Sequence, residues 1–272
     1  MNNADLNVWV ADLLQENNSF KTSFSANDLH EIVSCIDLTT LNASDSPKSV
    51  SKFVADGQQL LKANNLPNVA AYCVFSNFTS QVKSELAGTQ IGTACVATAF
   101  PHGQASLNAK VAEVVDAEKQ GADDIDIVIN RGLVLDGDYD QMAMEVAAFK
   151  NAAGKAHLKA ILEVCELSLD QVYESSKRCI DSGADFLKTS TGKGSAGASL
   201  EATLVMCKAI KEHFDATGKM VGFKAAGGIS TSENVMQYRN AVRFILGEDW
   251  MKNQYFRIGA SSLLKNIISD LS

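Results

Sequence analysis

Short apolar runs alternate with longer amphipathic stretches along almost the whole chain. The runs at 32–37, 69–75, 91–97, 124–130, 157–164, 184–188, 220–225 and 256–259 have the length and residue types of buried strands. Between them, apolar residues recur at helical spacing over 47–64, 79–87, 105–120, 138–153, 168–182, 199–215 and 231–246, with 261–271 after the last strand. Eight strands, each followed by a helix, is the count for a closed (β/α)8 barrel, whereas a doubly wound open sheet usually stops at five or six strands. The pattern therefore predicts an α/β protein, a single (β/α)8 TIM barrel over 31–272. An N-terminal helical extension over 1–30 precedes it. Within that extension, 5–15 reads as an extra helix that covers the barrel bottom or joins an interface.

End signals agree with this register. Ser168 and Ser199 stand where a short polar side chain accepts the free N–H groups of a first helical turn. Gly121 and Gly183, in the repeated Gly-Ala-Asp, stand where a helix closes before a strand. Pro101 falls past a strand end, where it breaks no ladder.

Strand alternation then sorts side chains by face. In 124–130, Ile125, Ile127 and Ile129 face the helices, leaving Asp124, Asp126 and Val128 toward the barrel axis. In 157–164, Lys159, Ile161 and Glu163 face inward. Lys188 and Lys224, each at the end of an apolar run that breaks into glycine, bring the interior further charge. Barrel interiors favour branched apolar residues, and a buried charge costs several kcal/mol unless paired. A structural ion network would account for the charges. The position of Lys188 and Lys224 at the C-terminal strand ends, where barrels of this kind carry their active sites, favours a reacting centre.

Composition narrows the chemistry. The formal charge of −8 argues against a nucleic-acid partner. No apolar run approaches the roughly 20 residues of a membrane span, and the start of the chain lacks the pattern of an export signal, so a cytoplasmic protein is expected. Six scattered cysteines and four dispersed histidines show no metal-ligand spacing. The chemistry therefore rests on lysine. A free lysine is only ~0.04% neutral at pH 7. Burial beside a second ammonium lowers that pKa and makes the amine a nucleophile toward carbonyls. Asp126 is a carboxylate near the same centre, able to move protons.

Two glycine-rich turns, Ala-Ala-Gly-Gly-Ile-Ser (225–230) and Ile-Gly-Ala-Ser-Ser-Leu-Leu (258–264), follow the last two strands. Loops in that position commonly cradle phosphate. Gly227 and Gly228 allow close backbone approach, Gly259 opens the second turn, Ser261 and Ser262 add hydroxyls, and Lys193 supplies charge.

These residues resemble the class I deoxyribose-phosphate aldolase family from about residue 32 to 264. The resemblance runs through Asp-Leu-Thr-Thr-Leu-Asn (37–42), Ala-Ala-Tyr-Cys-Val-Phe around Cys73, Phe-Pro-His-Gly (100–103) and Gly-Ala-Asp-Asp-Ile-Asp (121–126). It continues in Lys-Thr-Ser-Thr-Gly-Lys (188–193), Val-Gly-Phe-Lys-Ala-Ala-Gly-Gly (221–228) and Gly-Ala-Ser-Ser-Leu-Leu (259–264). It implies a lyase that splits 2-deoxy-D-ribose 5-phosphate reversibly into acetaldehyde and D-glyceraldehyde 3-phosphate, in deoxyribose catabolism, with no metal or other cofactor. It further implies Lys188 as the Schiff-base lysine, Lys224 as the cation lowering its pKa, and Asp126 as the proton relay. Asp37, Thr39 and Leu41 would line the small-aldehyde pocket with Cys73 near its wall, and Thr191 would hydrogen-bond the sugar hydroxyl. The chain departs from the family pattern at Ala225, where proline is common, and at Ser230, where arginine is. The alternative is a Schiff-base aldolase of the same fold acting on another phosphosugar or a keto acid. The partners expected are thus a small phosphosugar and acetaldehyde. The leading helix, with Leu6, Val8, Trp9 and Leu13, suits either its own barrel or a partner's, as in a homodimer.

Overall fold

A computed structural model describes residues 3–20 and 23–272. Eight parallel strands close in sequence order: β1 (Ile36–Thr39), β2 (Ala71–Phe75), β3 (Gly92–Ala97), β4 (Asp124–Val128), β5 (His157–Ile161), β6 (Phe186–Lys188), β7 (Gly222–Ala226) and β8 (Phe256–Ala260). Two helices, α1 (Asn3–Glu16) and α2 (Ala26–Ser34), precede the barrel. Around it run α3 (Pro47–Ala63), α4 (Thr79–Glu85), α5 (Leu107–Lys119), α6 (Arg131–Leu135), α7 (Tyr139–Ala152), α8 (Leu169–Asp181), α9 (Leu200–Thr217), α10 (Ser232–Leu246) and α11 (Leu263–Leu271). The predicted (β/α)8 barrel is the fold observed. Reciprocal capping boxes start α2 at Ser25 and Asp28, α3 at Ser46 and Ser49, and α8 at Ser168 and Gln171.

The differences lie at element ends and have local causes. Residues 32–34, expected to open the first strand, are the last turn of α2. The Ser25 cap starts that helix, and Leu29, Ile32 and Val33 give it one buried face. The fourth strand stops at Val128 because the Asn130 side chain accepts the Gly132 N–H and begins the unforeseen α6. The fifth stops at Ile161 because Glu163 turns the chain through a left-handed backbone, φ +57°. Before the barrel, α1 packs on α8 and α9 with Leu6 and Val10 buried, and Lys208 lies over the Trp9 ring. Arg239 of α10 ties α2 down through Asp28 (3.1 Å) and Glu31. No helix among the described residues is long and apolar enough to cross a membrane.

Two apolar cores flank the strands. The outer one, between sheet and helices, includes Ile125, Ile127, Ile129, Leu158 and Leu162, all essentially without exposure. Each contributes roughly 1.5–3 kcal/mol by leaving water. The inner one is small: Leu41, Ala71, Cys73, Ala94 and Val96 fill the β1–β3 side of the interior. The remaining interior, from β4 round to β8 and β1, is charged. Register aligns its residues: Asp126 beside Lys159, Lys188 beside Lys224, Lys224 beside Arg257, and Gly259 beside Asp37. Gly222 is required here, since a Cβ on it would run into the Phe186 ring. That ring covers both Lys159 Nζ, 5.2 Å from its centroid, and the Arg257 guanidinium at 5.8 Å.

Candidate active site

Strand alternation puts Asp37, Asp124, Asp126, Lys159, Lys188, Lys224 and Arg257 into one buried cluster. Arg257 was not foreseen, although the alternation of Phe-Arg-Ile-Gly-Ala marks it as inward. Lys159 Nζ lies 2.7 Å from Asp124 and 3.1 Å from Asp37, and Arg257 Nη1 lies 2.7 Å from Asp37 and 3.0 Å from Asp124. Lys224 Nζ lies 2.5 Å from Asp37 and 2.7 Å from Asp126 Oδ2, which Lys188 Nζ also approaches at 2.7 Å. Four cations thus face three carboxylates, leaving one positive charge in excess.

That excess falls on Lys188. Its pKa is lowered, first by burial and then by the Lys224 ammonium, with Asp126 opposing. Burial works against Lys224 as well, but two carboxylates, Asp126 and Asp37, outweigh it and raise its pKa. Burial alone would raise the carboxyls, yet Lys159, Lys224 and Arg257 hold Asp37 well below the usual carboxylate range, and Lys188 and Lys224 hold Asp126 below it. Of the four cations, only Lys188 reaches the wall of the adjoining cavity. Asp126 Oδ1 is buried and has no hydrogen-bond partner among the described residues, so it keeps lone pairs for a proton.

The cavity, of about 490 Å³, opens at the C-terminal strand ends. It gathers Lys188, Thr39, Leu41, Thr191, Lys193, Gly227, Gly228, Gly259, Ser261 and Ser262 from both predicted groups. The β6 and β7 loops close against each other because Gly197 and Gly227 meet backbone to backbone, and a Cβ on Gly197 would overlap the Gly227 carbonyl. Ser262 precedes α11 without capping it by its side chain, which leaves first-turn N–H groups for an anion. Ser230 lies on the same wall.

Two residues expected at the aldehyde pocket are not among those lining the cavity. Asp37 is fully buried beneath the cavity, drawn there by three cations, while its chain neighbour Thr39 reaches the wall. Cys73 is buried behind that wall, in the inner apolar core with the cavity-lining Leu41, and burial pushes its thiol up to about 11. Glu163, predicted inward, is also buried, but at the rim. It accepts hydrogen bonds from Thr191 and pairs with Arg131 at 3.5 Å. No group of three His, Cys, Asp or Glu side chains among the described residues is placed to hold a metal ion.

A closed parallel barrel with a buried lysine and an uncapped helix start at the mouth of its cavity has the architecture of enzymes that react substrates at the C-terminal strand ends. Comparison with known proteins narrows that class. Residues 32–267 match the DeoC/LacD family aldolase, and the chain belongs to that family. Deoxyribose-phosphate aldolase of Mus musculus is 41% identical over 269 residues, spanning 94% of this chain and 85% of that protein. The protein of the same name from Homo sapiens is 38% identical over the same shares. In fold, the chain is similar to deoxyribose phosphate aldolase from Aeropyrum pernix, with a TM-score of 0.72 across 100% of this chain and 99% of that one at 22% identity.

Proposed function

We propose that this chain cleaves 2-deoxy-D-ribose 5-phosphate reversibly to acetaldehyde and D-glyceraldehyde 3-phosphate through a Schiff base on Lys188. The observation that carries the reading is the lowered pKa of Lys188 at the cavity wall, beside a second lysine that stays charged. The neutral amine adds to the C1 aldehyde of the open-chain sugar, and loss of water gives an iminium. The C2–C3 bond then breaks and its electron pair flows into the iminium, which becomes an enamine as C3 becomes the aldehyde carbon of the departing triose. Protonation at C2 and hydrolysis release acetaldehyde and restore Lys188. The iminium is itself the electron sink, so the reaction needs no metal.

Lys224 serves as the fixed cation that, together with burial, lowers the Lys188 pKa. Asp126, whose Oδ2 pairs with both lysines while its Oδ1 has no hydrogen-bond partner among the described residues, moves protons at carbinolamine dehydration and at C2. Thr39 and Leu41 shape the aldehyde side, and Lys193, Gly227, Gly228, Gly259, Ser261 and Ser262 hold the phosphate. Relatives named deoxyribose-phosphate aldolase at 38–41% identity support the substrate. The test is reduction with borohydride in the presence of acetaldehyde, followed by peptide mass spectrometry. Ethylation of Lys188 and of no other lysine in the cluster is expected. Labelling elsewhere, or none, refutes the assignment.

A further inference from the structure

Glu163 carries a buried carboxylate outside the charged cluster, and none of the steps above uses it. A residue with a side chain adopts its left-handed backbone, φ +57°, only where surrounding contacts hold it there. Those contacts converge on one loop. Both carboxylate oxygens lie 3.3 Å from the Thr191 N–H, and the Thr191 hydroxyl donates to Oε2. Arg131 holds the same oxygen at 3.5 Å while bonding Glu166 and the His102 carbonyl. Glu163, after β5, therefore joins the loops after β4 and β6, and Arg131 extends the network to the loop after β3.

The consequence concerns the direction of a hydrogen bond. A hydroxyl has one proton and two lone pairs. The Thr191 proton is engaged by Glu163, and its oxygen already accepts the Lys193 N–H at 3.0 Å. What Thr191 offers the cavity is one lone pair. It accepts from a substrate hydroxyl and does not donate to it.

We infer that Glu163 and Thr191 form a two-residue relay that takes the proton of the substrate hydroxyl destined to become the triose aldehyde. The inference rests on the cleavage proposed above. As the C2–C3 pair enters the iminium, the C3 oxygen gains its double bond to carbon. Its proton passes to the Thr191 oxygen while the Thr191 proton passes to Glu163. Once the aldehyde departs, the same path run backward to cavity water restores the carboxylate, and in the condensation direction it delivers the proton. Thr191 touches the substrate, and Glu163 acts through it.

Glu163→Gln separates a relay from a brace, because the amide oxygen still accepts from Thr191 but takes no proton. The full-length protein and its variants are assayed for cleavage of deoxyribose 5-phosphate and of unphosphorylated deoxyribose. Glu163→Gln is expected to lower kcat for both about 10²-fold with KM nearly unchanged. Thr191→Val should lose a similar factor, and the double variant no more than the worse single, as for residues acting as a unit. Acetaldehyde trapping at Lys188 should persist in all three. A near-wild-type kcat for Glu163→Gln, multiplying losses in the double variant, or a loss confined to KM for the phosphorylated sugar overturns the relay. Should Glu163→Gln fail to fold, Thr191→Val decides alone, with full kcat overturning the inference and a loss of that size in both sugars supporting it. Wild-type protein that cleaves neither sugar refutes the proposed function, and the relay with it. Wild-type cleavage with any of the overturning results removes the relay alone.

Discussion

The lower and upper parts of the charged barrel interior use the same residue types and differ in how many partners each charge has. Below, Asp37 is held by Lys159, Lys224 and Arg257, and Asp124 by Lys159, Arg257 and the edge of His157. Above, Lys188 has a single carboxylate and shares it with Lys224. Many opposite partners make a buried charge a strut, because removing one leaves others uncompensated. One shared partner suits the reagent that we propose Lys188 to be, since burial and Lys224 lower its pKa. The position of the cluster agrees with this division, for Phe186 covers Lys159 and Arg257 of the strut while Lys188 reaches the cavity.

The contrast is broken most severely by Lys188→Met. Cleavage should fall by on the order of 10⁴-fold or more, as for loss of a covalent nucleophile, while resistance to urea is kept or raised because the surplus charge goes. Loss of stability instead would mean that Lys188 belongs to the strut. Asp37→Asn tests the lower part and leaves four cations facing two carboxylates. Stability should drop by ~3–5 kcal/mol in urea unfolding. Unchanged stability with a raised KM would return Asp37 to the aldehyde pocket.

A third measurement follows stability against pH. The carboxyls of Asp37, Asp124 and Asp126 titrate lower in the folded chain than in the unfolded one. Their contribution is complete above the ordinary carboxylate pKa of about 4 and is lost as pH falls below it. Denaturation midpoints should therefore decline steeply only under acid conditions, and a flat profile there would deny the strut its ionic character. The smallest effect is expected at the rim. Lys193→Ala should raise KM about tenfold for deoxyribose 5-phosphate, in the range of one charge-assisted hydrogen bond, and leave KM for deoxyribose unchanged. Equal changes for the two sugars would take Lys193 out of the phosphate site.

Strand periodicity made the barrel legible, and parity alone brought Asp124, Asp126 and Lys159 to its axis. The two glycine-flanked lysines marked the mouth because so few structural roles suit a lysine there. What was not legible depended on distances across the barrel. Arg257 sits in a run whose alternation points inward, but its worth came from carboxylates on β1 and β4, more than a hundred residues away in sequence. Asp37 and Thr39 lie two apart in one short strand and face one interior, yet one is under the floor and the other on the wall. Height along the axis separates them, and a pattern of faces carries no height. Glu163 was assigned the inward face on the assumption that its strand continued. A single left-handed residue swung it to the rim.

Lys188, alone among the four clustered cations at the cavity wall, gives the proposed cleavage a kinetic order. In that cleavage the two-carbon piece stays bonded to Lys188 until the larger fragment has gone. Departure is then sequential: the triose leaves first and the aldehyde second. In the condensation direction, a charged enzyme already carrying its two-carbon unit waits for whichever acceptor next enters the mouth.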